Sequence, residues 1–525
     1  MALRWNPPAK LSSDEERVKA RCRSKKLFVF LREHRHEIFD DAFQAELETM
    51  YGAQPPGGSQ PVPPALLAMV TLLQAAFGVS DADAVEEAAT SRRWQLVLGC
   101  LNTEDAPFSQ GTLQKFRQRL IEHDMDRRLL DRTVDLARRL GGFGHRNLRA
   151  AFDASPLFGA GRVEDTFNLI GHAAREVVRT AAKRLGRPVE DVAREAGIPV
   201  LNASSVKAGL DIDWDSARAR TQALSTLVSQ VESLSRWLAR ELAAATDEPP
   251  LREQLETMAR IIAQDTEPEP EGSGTGRRIR EGVAKERQIS IRDPDMRHGR
   301  KSRASRIDGY KRHVAVDLDV PLICSVAVTP ANRPEAEGLP AMLEDLRRQK
   351  LPLVEAVIDR GYLGAPVLEE ERRHGVSVRS KPFPLRNGGR FTKADFRLDL
   401  PGATATCPQG VRVTIATGRT AHFPAECCDP CPLRSACTTS KPGVGRSLSI
   451  HPQEDLHVEL RARARTPEGR AALRARIPVE HRLAHIGQSQ GRRARYVGTR
   501  KNLFDVRRHA AIANLHTART LTIAA

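Results

Sequence analysis

Residues 148–153 have the sequence LRAAFD and residues 353–359 have the sequence LVEAVID, and these two stretches decide the expected fold. Each is a short apolar run that closes on an aspartate, Asp153 in the first and Asp359 in the second. Runs of this length and composition are consistent with buried strands. We therefore expect two strands, each with a carboxylate at its end.

A third acidic residue, Glu480, lies on a stretch with a helical pattern. Val479, Leu483 and Ile486 recur at i, i+4 and i+7, the spacing of one buried helix face. Carboxylates at strand ends and on a neighbouring helix can converge on one point. Two divalent cations held there would activate an attacking oxygen and stabilise a leaving one at phosphorus. The three acids therefore indicate phosphodiester chemistry on DNA.

The order of the remaining elements predicts the fold class. Strands are expected at Lys311–Leu318, Leu322–Thr329 and Val376–Arg379, and helices at Glu335–Gln349 and Leu363–His374. Without the helical segment between the two aspartates, this is the mixed α/β plan of a ribonuclease-H-like core. Parallel strands joined by helices would place Asp153 and Asp359 on neighbouring strands. We assign residues 145–170 and 277–400 to the two parts of this core.

Residues 1–140 are expected to form a helical N-terminal domain that binds DNA. Its helix Gln110–Ile121 carries Lys115, Arg117 and Arg119, and short helices that end in a basic one resemble a helix-turn-helix reader. A plain scaffold of small helices is the alternative.

Residues 171–276 are expected to form a helical insert and a linker. Leucine and valine at positions 224, 227, 231, 234 and 238 alternate in threes and fours, which is a heptad pattern. The stretch from Leu251 to Ile262 would return as an antiparallel partner. We favour such a helical hairpin over a dimerisation arm. Residues 267–276 have the composition of a linker.

Residues 401–450 are expected to form a cysteine-containing insert. Cys407, Cys428, Cys431 and Cys437 lie within it, and residues 428–431 read CDPC, the two-residue spacing of a zinc knuckle. The four thiols are candidates for a structural Zn²⁺, and thiols without a metal are the alternative.

Residues 451–525 should complete the core with helices. Thr466, Pro467 and Glu468 are a strong helix start, and that helix would run to Glu480 with Pro478 as a kink.

Charge agrees with a nucleic-acid partner. The 525 residues include 82 Lys and Arg against 66 Asp and Glu, a formal net charge of +16, which favours polyanions. Residues 297–303 and 492–501 are basic stretches, and Arg492, Arg493 and Lys501 are candidate phosphate contacts. No apolar run approaches the ~18 residues of a membrane span, and the first residues lack the apolar core of a signal peptide. We expect a soluble, cytoplasmic protein without a membrane partner.

Four runs carry a family resemblance. They are FDASPLFGAGRVEDT at 152–166, GYKRHVA at 309–315, IDRGY at 358–362 and PVE at 478–480. Together they look like a DDE transposase, and most resemble the IS1182 group, which is related to IS4 and IS5. Residues 62–102 also resemble the helical domain that precedes such catalytic cores.

The resemblance implies a function. Such a transposase binds the terminal inverted repeats of an insertion sequence in double-stranded DNA and pairs the ends as a homodimer. It then cuts the strands and joins their 3′ hydroxyls to target DNA. Asp153, Asp359 and Glu480 would hold two Mg²⁺, with Mn²⁺ as a substitute. A catalytically inactive descendant that only binds DNA is the alternative, and a nuclease that cuts without joining is a third hypothesis.

One departure from the family pattern concerns the helix of Glu480. Related transposases have an arginine one turn before the third acid, which Arg476 matches, and a lysine two turns after it. That lysine position falls near Gly487, and Arg492 or Arg493 is our candidate substitute. Rivals for the third acid are Glu454, Glu459 and Glu468. The acids Asp317, Glu335 and Glu337 are expected to be structural.

Overall fold

The computed structural model describes residues 4–52, 61–141, 147–269, 276–300, 304–474 and 476–524, and its N-terminal part is helical. The helices are α1 (Ser13–Arg21), α2 (Lys26–Ile38), α3 (Asp41–Glu48), α4 (Pro64–Phe77), α5 (Asp81–Thr90), α6 (Arg92–Leu98), α7 (Gln110–Glu122) and α8 (Met125–Arg139). Helix α4 starts at a proline, which needs no N–H partner in the first turn, and α5 begins with a capping box between Ser80 and Asp83. These bounds confirm the predicted helices of this region.

A helical insert follows the first strand, β1 (Leu148–Phe158). It consists of α9 (Thr166–Leu185), α10 (Val189–Glu195), α11 (Val206–Leu210), α12 (Ala217–Glu241) and α13 (Leu251–Asp265), followed by the paired strands β2 (Thr266–Pro268) and β3 (Arg277–Ile279). The five heptad positions of α12 are all buried, as predicted, in an apolar cluster that the insert forms by itself. The predicted hairpin is wrong, because α13 packs along α9 instead of returning along α12. Residues 267–268 are strand, and residues 270–275 of the predicted linker lie outside the described residues.

A six-stranded mixed sheet forms the centre. Its elements are β1, β4 (Arg297–Arg300), β5 (Arg306–Asp317), β6 (Ile323–Pro330), α14 (Leu339–Arg348), β7 (Leu353–Ile358), α15 (Val367–Arg373) and β8 (Ser377–Arg379). The strand order is β4-β5-β1-β7-β8, and β6 also pairs with β5. Strand β1 is antiparallel to β5 and parallel to β7. This confirms the predicted α/β class, a ribonuclease-H-like mixed sheet with a helical N-terminal region.

A third, small apolar cluster belongs to the cysteine-containing segment. Its elements are β9 (Arg397–Asp399), β10 (Thr404–Thr406), β11 (Arg412–Thr414), β12 (Thr420–His422), α16 (Ala425–Cys428), α17 (Arg434–Cys437) and β13 (Ser447–Ser449). Strands of three residues and helices of four bury little apolar surface, and only seven hydrophobic residues are fully buried here among those described.

The chain ends in helices α18 (Glu454–Arg465), α19 (Pro467–Arg474), α20 (Ile477–Gln490) and α21 (Thr499–Ala524). The single kinked helix predicted through Pro478 is wrong, because α20 is a separate helix with Pro478 in its first turn. Proline is tolerated in the first turn of a helix, whereas in a helix interior its ring would clash with the carbonyl group of the preceding turn. Helix α21 packs on α4, α8 and β6, and the N-terminal helices and the sheet share one buried apolar cluster.

No single described helix is long and apolar enough to cross a membrane. Helices α4 and α5 reach that length and composition only as a pair, across a bend of 103°.

Candidate active site

The two aspartates come together through strand register. Phe152 and Ile358 are the last pair of the parallel ladder between β1 and β7, and Asp153 and Asp359 are the next residues on the two strands. Neighbouring strands lie about 4.8 Å apart, so the two carboxylates emerge side by side. This confirms their predicted places on neighbouring strands. Asp153 does not end its strand, however, because the antiparallel ladder with β5 continues to Phe158.

Arg476 joins the two aspartates. Its guanidinium lies 3.0 Å from a carboxylate oxygen of Asp153 and 3.2 Å from one of Asp359. It is the residue just before α20, so that helix starts beside the ends of the parallel strands. The Arg476 and Asp153 side chains are only 13% and 17% exposed, whereas Asp359 is 46% exposed. The site is therefore a pair of carboxylates bridged by one cation, and it is more exposed at Asp359 than at Asp153.

Burial governs the protonation of Asp153. It raises the pKa of this carboxyl above its usual value, Arg476 and the Ala154 amide lower it, and the charge of Asp359 raises it further. A cation beside this half-buried carboxylate therefore favours its ionised form.

Glu480 lies one helical turn beyond Arg476. Val479, Leu483 and Ile486 are buried where α20 packs on β1 and β5. Arg476, Glu480 and Gly487 are spaced by four and seven residues and share one stripe of the helix. Arg476 pairs with the two aspartates and Gly487 lies beside Arg312 of β5, and Glu480 lies between them on this stripe.

The Glu480 side chain itself is exposed. Within the described part of the chain it makes no hydrogen bond or ion pair. The structure therefore brings the predicted third acid to the edge of the site without joining it to the two aspartates.

The three rivals for the third acid lie elsewhere. Glu454 is buried and paired with Lys393 and Arg461. Glu459 is paired with Arg372 and Arg463. Glu468 is exposed in the first turn of α19. Among the described residues, none of the three forms an ion pair with Arg476, and Glu480 as the third acid stays a prediction.

Glu335 is an acid of this site that the sequence prediction treated as structural. It opens the 3-10 turn Glu335–Gly338 and packs on Gly361, where a Cβ atom would meet its carboxylate. Burial raises its pKa, Lys311 lowers it, and the charges of Asp359 and Asp153 raise it. No spacing in the sequence marks Glu335, because it reaches the site through the chain return after β6.

His313 and Tyr362 lie beneath this acidic group. The His313 ring contacts the Tyr362 hydroxyl at 2.8 Å and the Thr329 hydroxyl at 2.9 Å, and both rings are fully buried. Burial lowers the pKa of His313 to about 3, so its ring is neutral.

Arg312 occupies the space beside Gly487, the position where related transposases have a lysine. A Cβ atom on Gly487 would lie 2.9 Å from an Nη atom of Arg312. The guanidinium donates to the Ser155 hydroxyl at 2.8 Å and to Gln490 at 2.7 Å. Ser155 is two residues from Asp153 on β1, roughly 7 Å along the strand. A buried cation from β5 therefore stands where Arg492 or Arg493 was our candidate substitute.

The basic residues predicted on α7 have different surroundings. Arg117 forms a two-point ion pair with Asp81, so its charge is compensated. Arg119 stacks on Tyr51 with 4.5 Å to the ring centroid, whereas Lys115 is exposed.

The basic C-terminal stretch lies against the end of β1 and against α7. Arg492 and Arg493 are exposed beside Phe158, to which this stretch adds a parallel bridge. Tyr496 and Lys501 line an open groove together with Arg117 and Gln118 of α7. Two segments that the sequence analysis treated separately thus form one surface. Residues 301–303 of the other basic stretch lie outside the described residues.

The four predicted cysteines also come together. Cys407, Cys428, Cys431 and Cys437 line one narrow cavity. Among the described residues, no three His, Cys, Asp or Glu side chains have the arrangement of a metal site. This holds at the cysteines and at the aspartates.

A mixed sheet with two carboxylates side by side where the ladder between two parallel strands ends is typical of the ribonuclease-H-like class. The family model described as "Transposase DDE domain" matches residues 274–515, and that described as "Transposase domain (DUF772)" matches residues 17–119. The chain belongs to the DDE transposases, and this combination of domains is typical of the IS1182 family.

The DDE match includes Asp359 and Glu480, while Asp153 precedes it and joins the matched region through the sheet. No curated protein and no solved structure matches the chain significantly.

Proposed function

We propose that this transposase binds the terminal inverted repeats of its insertion sequence, cuts the DNA strands there and joins the 3′ ends to target DNA. The observation that supports this most directly is the pair Asp153 and Asp359, adjacent on parallel strands with the Arg476 cation between them. Two adjacent carboxylates of this kind bind a positively charged group between them.

The donor set fits a divalent metal. Carboxylate oxygens are the ligands that Mg²⁺ and Mn²⁺ prefer, and the place between the two aspartates already holds a cation. Asp153 and Asp359 would hold the metal, and Glu480 is the proposed third ligand. When bound, Mg²⁺ supplies Lewis-acid activation of the attacking oxygen and stabilisation of the leaving one.

The side chains around the pair have roles that follow from their contacts. Arg476 compensates both carboxylates and becomes free to contact a DNA phosphate once they bind metal. Arg312 ties β1 and β5 to the end of α20 through Ser155 and Gln490, and so sets the position of Glu480. Rotation of the exposed Glu480 side chain toward the aspartates completes the site.

DNA recognition is assigned to the groove shared by α7 and the C-terminal stretch. Lys501 lines this groove, Lys115 belongs to α7, and Arg492 and Arg493 belong to the C-terminal stretch; all four side chains are exposed and would contact phosphates. Two copies of the chain would pair the two ends of the element.

A cutting and joining assay tests the proposal. A labelled duplex with the element's terminal repeat is incubated with the protein, Mg²⁺ or Mn²⁺ and a target plasmid, beside a duplex of scrambled repeat sequence. We expect metal-dependent cuts at the repeat boundary and joined products from the native repeat only.

Two outcomes of that assay contradict the proposal. Cuts without joined products would indicate a nuclease. Repeat-specific binding without cuts would indicate the inactive descendant, a reading favoured by the lack of contact between Glu480 and the aspartates.

A further inference from the structure

We propose that Cys407, Cys428, Cys431 and Cys437 bind one Zn²⁺ ion that holds the cysteine-containing segment, residues 391–450, in shape. This site is separate from the acidic site, and the inference does not depend on the proposed function.

The four cysteines reach one point from four places in the segment. Cys407 follows β10 in a tight turn closed by the Gly410 amide, and Cys428 ends α16. Cys431 follows three residues later, its amide donating to the Cys428 carbonyl, and Cys437 ends α17. All four are half-buried free thiols that border the same cavity. Sequence-distant thiols have thus been gathered by the fold.

The cavity has the size of a single ion. Its volume is about 30 Å³, and its walls are mostly apolar, with Phe391, Phe396 and Phe423 among the lining residues. A small cavity lined by four thiols and mostly apolar side chains suits tetrahedral Zn²⁺ with four cysteine ligands.

Arg446 supplies compensating charge. It also lines the cavity, lies 5.9 Å over the Phe396 ring and donates to the Phe391 carbonyl. Four thiolates around Zn²⁺ carry a net charge of −2, and a fixed guanidinium beside them offsets part of it.

Binding requires a small inward movement. As they stand, the four thiols do not form a ligand cage. On binding, each thiol loses its proton, four Zn–S bonds form and four protons leave, and the cavity closes around the ion. Metal sites in small segments commonly form in this coupled way, because the unliganded thiols have nothing to hold them together.

A metal crosslink would stabilise this segment, because its apolar core is small. Its strands of three residues and helices of four surround only seven fully buried hydrophobic residues among those described. So small a core supplies little stability, and small units of this kind are commonly held by metals or disulfides. The segment connects β8 to α18, so it lies on the chain between Asp359 and Glu480.

Cys427 provides a matched control. It adjoins Cys428 in the sequence and also borders the cavity, but its side chain is exposed, whereas the four proposed ligands are half-buried.

The test is the zinc content of the full chain after purification in a reducing buffer, measured by plasma mass spectrometry. We expect about one zinc per chain in the wild type and in Cys427→Ser, and a loss of at least fivefold in Cys428→Ser and Cys437→Ser. A second measurement needs no variant: a mercurial reagent that titrates thiols should release the zinc in step with modification of four thiols.

Three results would overturn the inference. One is a wild type that stays zinc-free after refolding with excess Zn²⁺. Another is equal zinc loss in Cys427→Ser and Cys428→Ser. The third is bound iron with visible absorption, which would assign the thiols to an iron–sulfur cluster.

Discussion

Replacement of Arg476 by methionine should destabilise the metal-free protein and strengthen its binding of metal. The guanidinium lies 3.0 Å from Asp153 and 3.2 Å from Asp359, and no second cation within ion-pair distance of either aspartate is found among the described residues. Arg476→Met would leave two adjacent carboxylates uncompensated. Loss of one partner from a buried pair costs about 3–5 kcal/mol, and from an exposed pair about 0–1 kcal/mol.

The expected loss of stability in Arg476→Met lies between these two limits. Because Asp359 is 46% exposed and Asp153 can take up a proton, we expect a loss of about 1–2 kcal/mol in the free energy of unfolding without metal. The same energy opposes metal binding in the wild type, since a metal between the aspartates must displace the guanidinium. Arg476→Met should therefore bind Mn²⁺ about 5–30-fold more tightly than the wild type.

Titration calorimetry with Mn²⁺, supported by melting temperatures with and without the metal, measures both effects. Arg482→Met is the control, because Arg482 lies on the same helix outside the carboxylate cluster. The tighter metal binding should be accompanied by weaker DNA cleavage, since Arg476 is proposed to contact phosphate. Unchanged or weaker Mn²⁺ binding in Arg476→Met, with unchanged binding in Arg482→Met, would refute the idea that the guanidinium occupies the place of the metal.

Three further predictions concern neighbouring residues. Gly487→Ala places a Cβ atom 2.9 Å from Arg312, so the guanidinium or α20 must shift; we expect cleavage to fall at least tenfold with Mn²⁺ affinity at the aspartates retained, and unchanged cleavage would exclude a role for this contact. Glu335→Gln removes a half-buried acid beside Asp153 and Asp359; Mn²⁺ affinity should drop severalfold in calorimetry, whereas Glu337→Gln, on the exposed side of the same turn, should leave it unchanged. Lys501→Gln should weaken repeat binding and reduce the slope of log affinity against log salt by about 1; an unchanged slope in a filter-binding series would remove Lys501 from the phosphate contacts.

The sequence predicted the strands that position the aspartates because their apolar runs bury on both faces. The parallel register that brings Asp153 and Asp359 together follows from strand order and helical connections, so it could also be expected. The buried face of α12 was predicted from its spacing, but its partner was not. Spacing marks which face is buried and says nothing of which helix covers it.

Contacts between segments that are distant in the chain could not be predicted from the sequence. Glu335 reaches the site through the return of the chain after β6, and Arg312 reaches Gly487 across the face of the sheet. Arg476 was recognised only as a position in a motif, and its bridge between the two aspartates needs the three-dimensional placement of α20. The cation beside Gly487 could not be found by counting along one helix, because Arg312 comes from a strand.

The central claim is that Asp153, Asp359 and Glu480 form one metal-dependent cleavage site, and single substitutions test it most directly. A labelled terminal-repeat duplex with Mg²⁺ or Mn²⁺ would be incubated with the wild type, Asp153→Asn, Asp359→Asn, Glu480→Gln and, as a control, Glu468→Gln. The account predicts cuts at the repeat boundary with the wild type and Glu468→Gln, and a loss of at least a hundredfold in the other three while the repeat is still bound. Full cleavage by Glu480→Gln would remove the third ligand, and full cleavage by Asp153→Asn or Asp359→Asn would contradict the account itself.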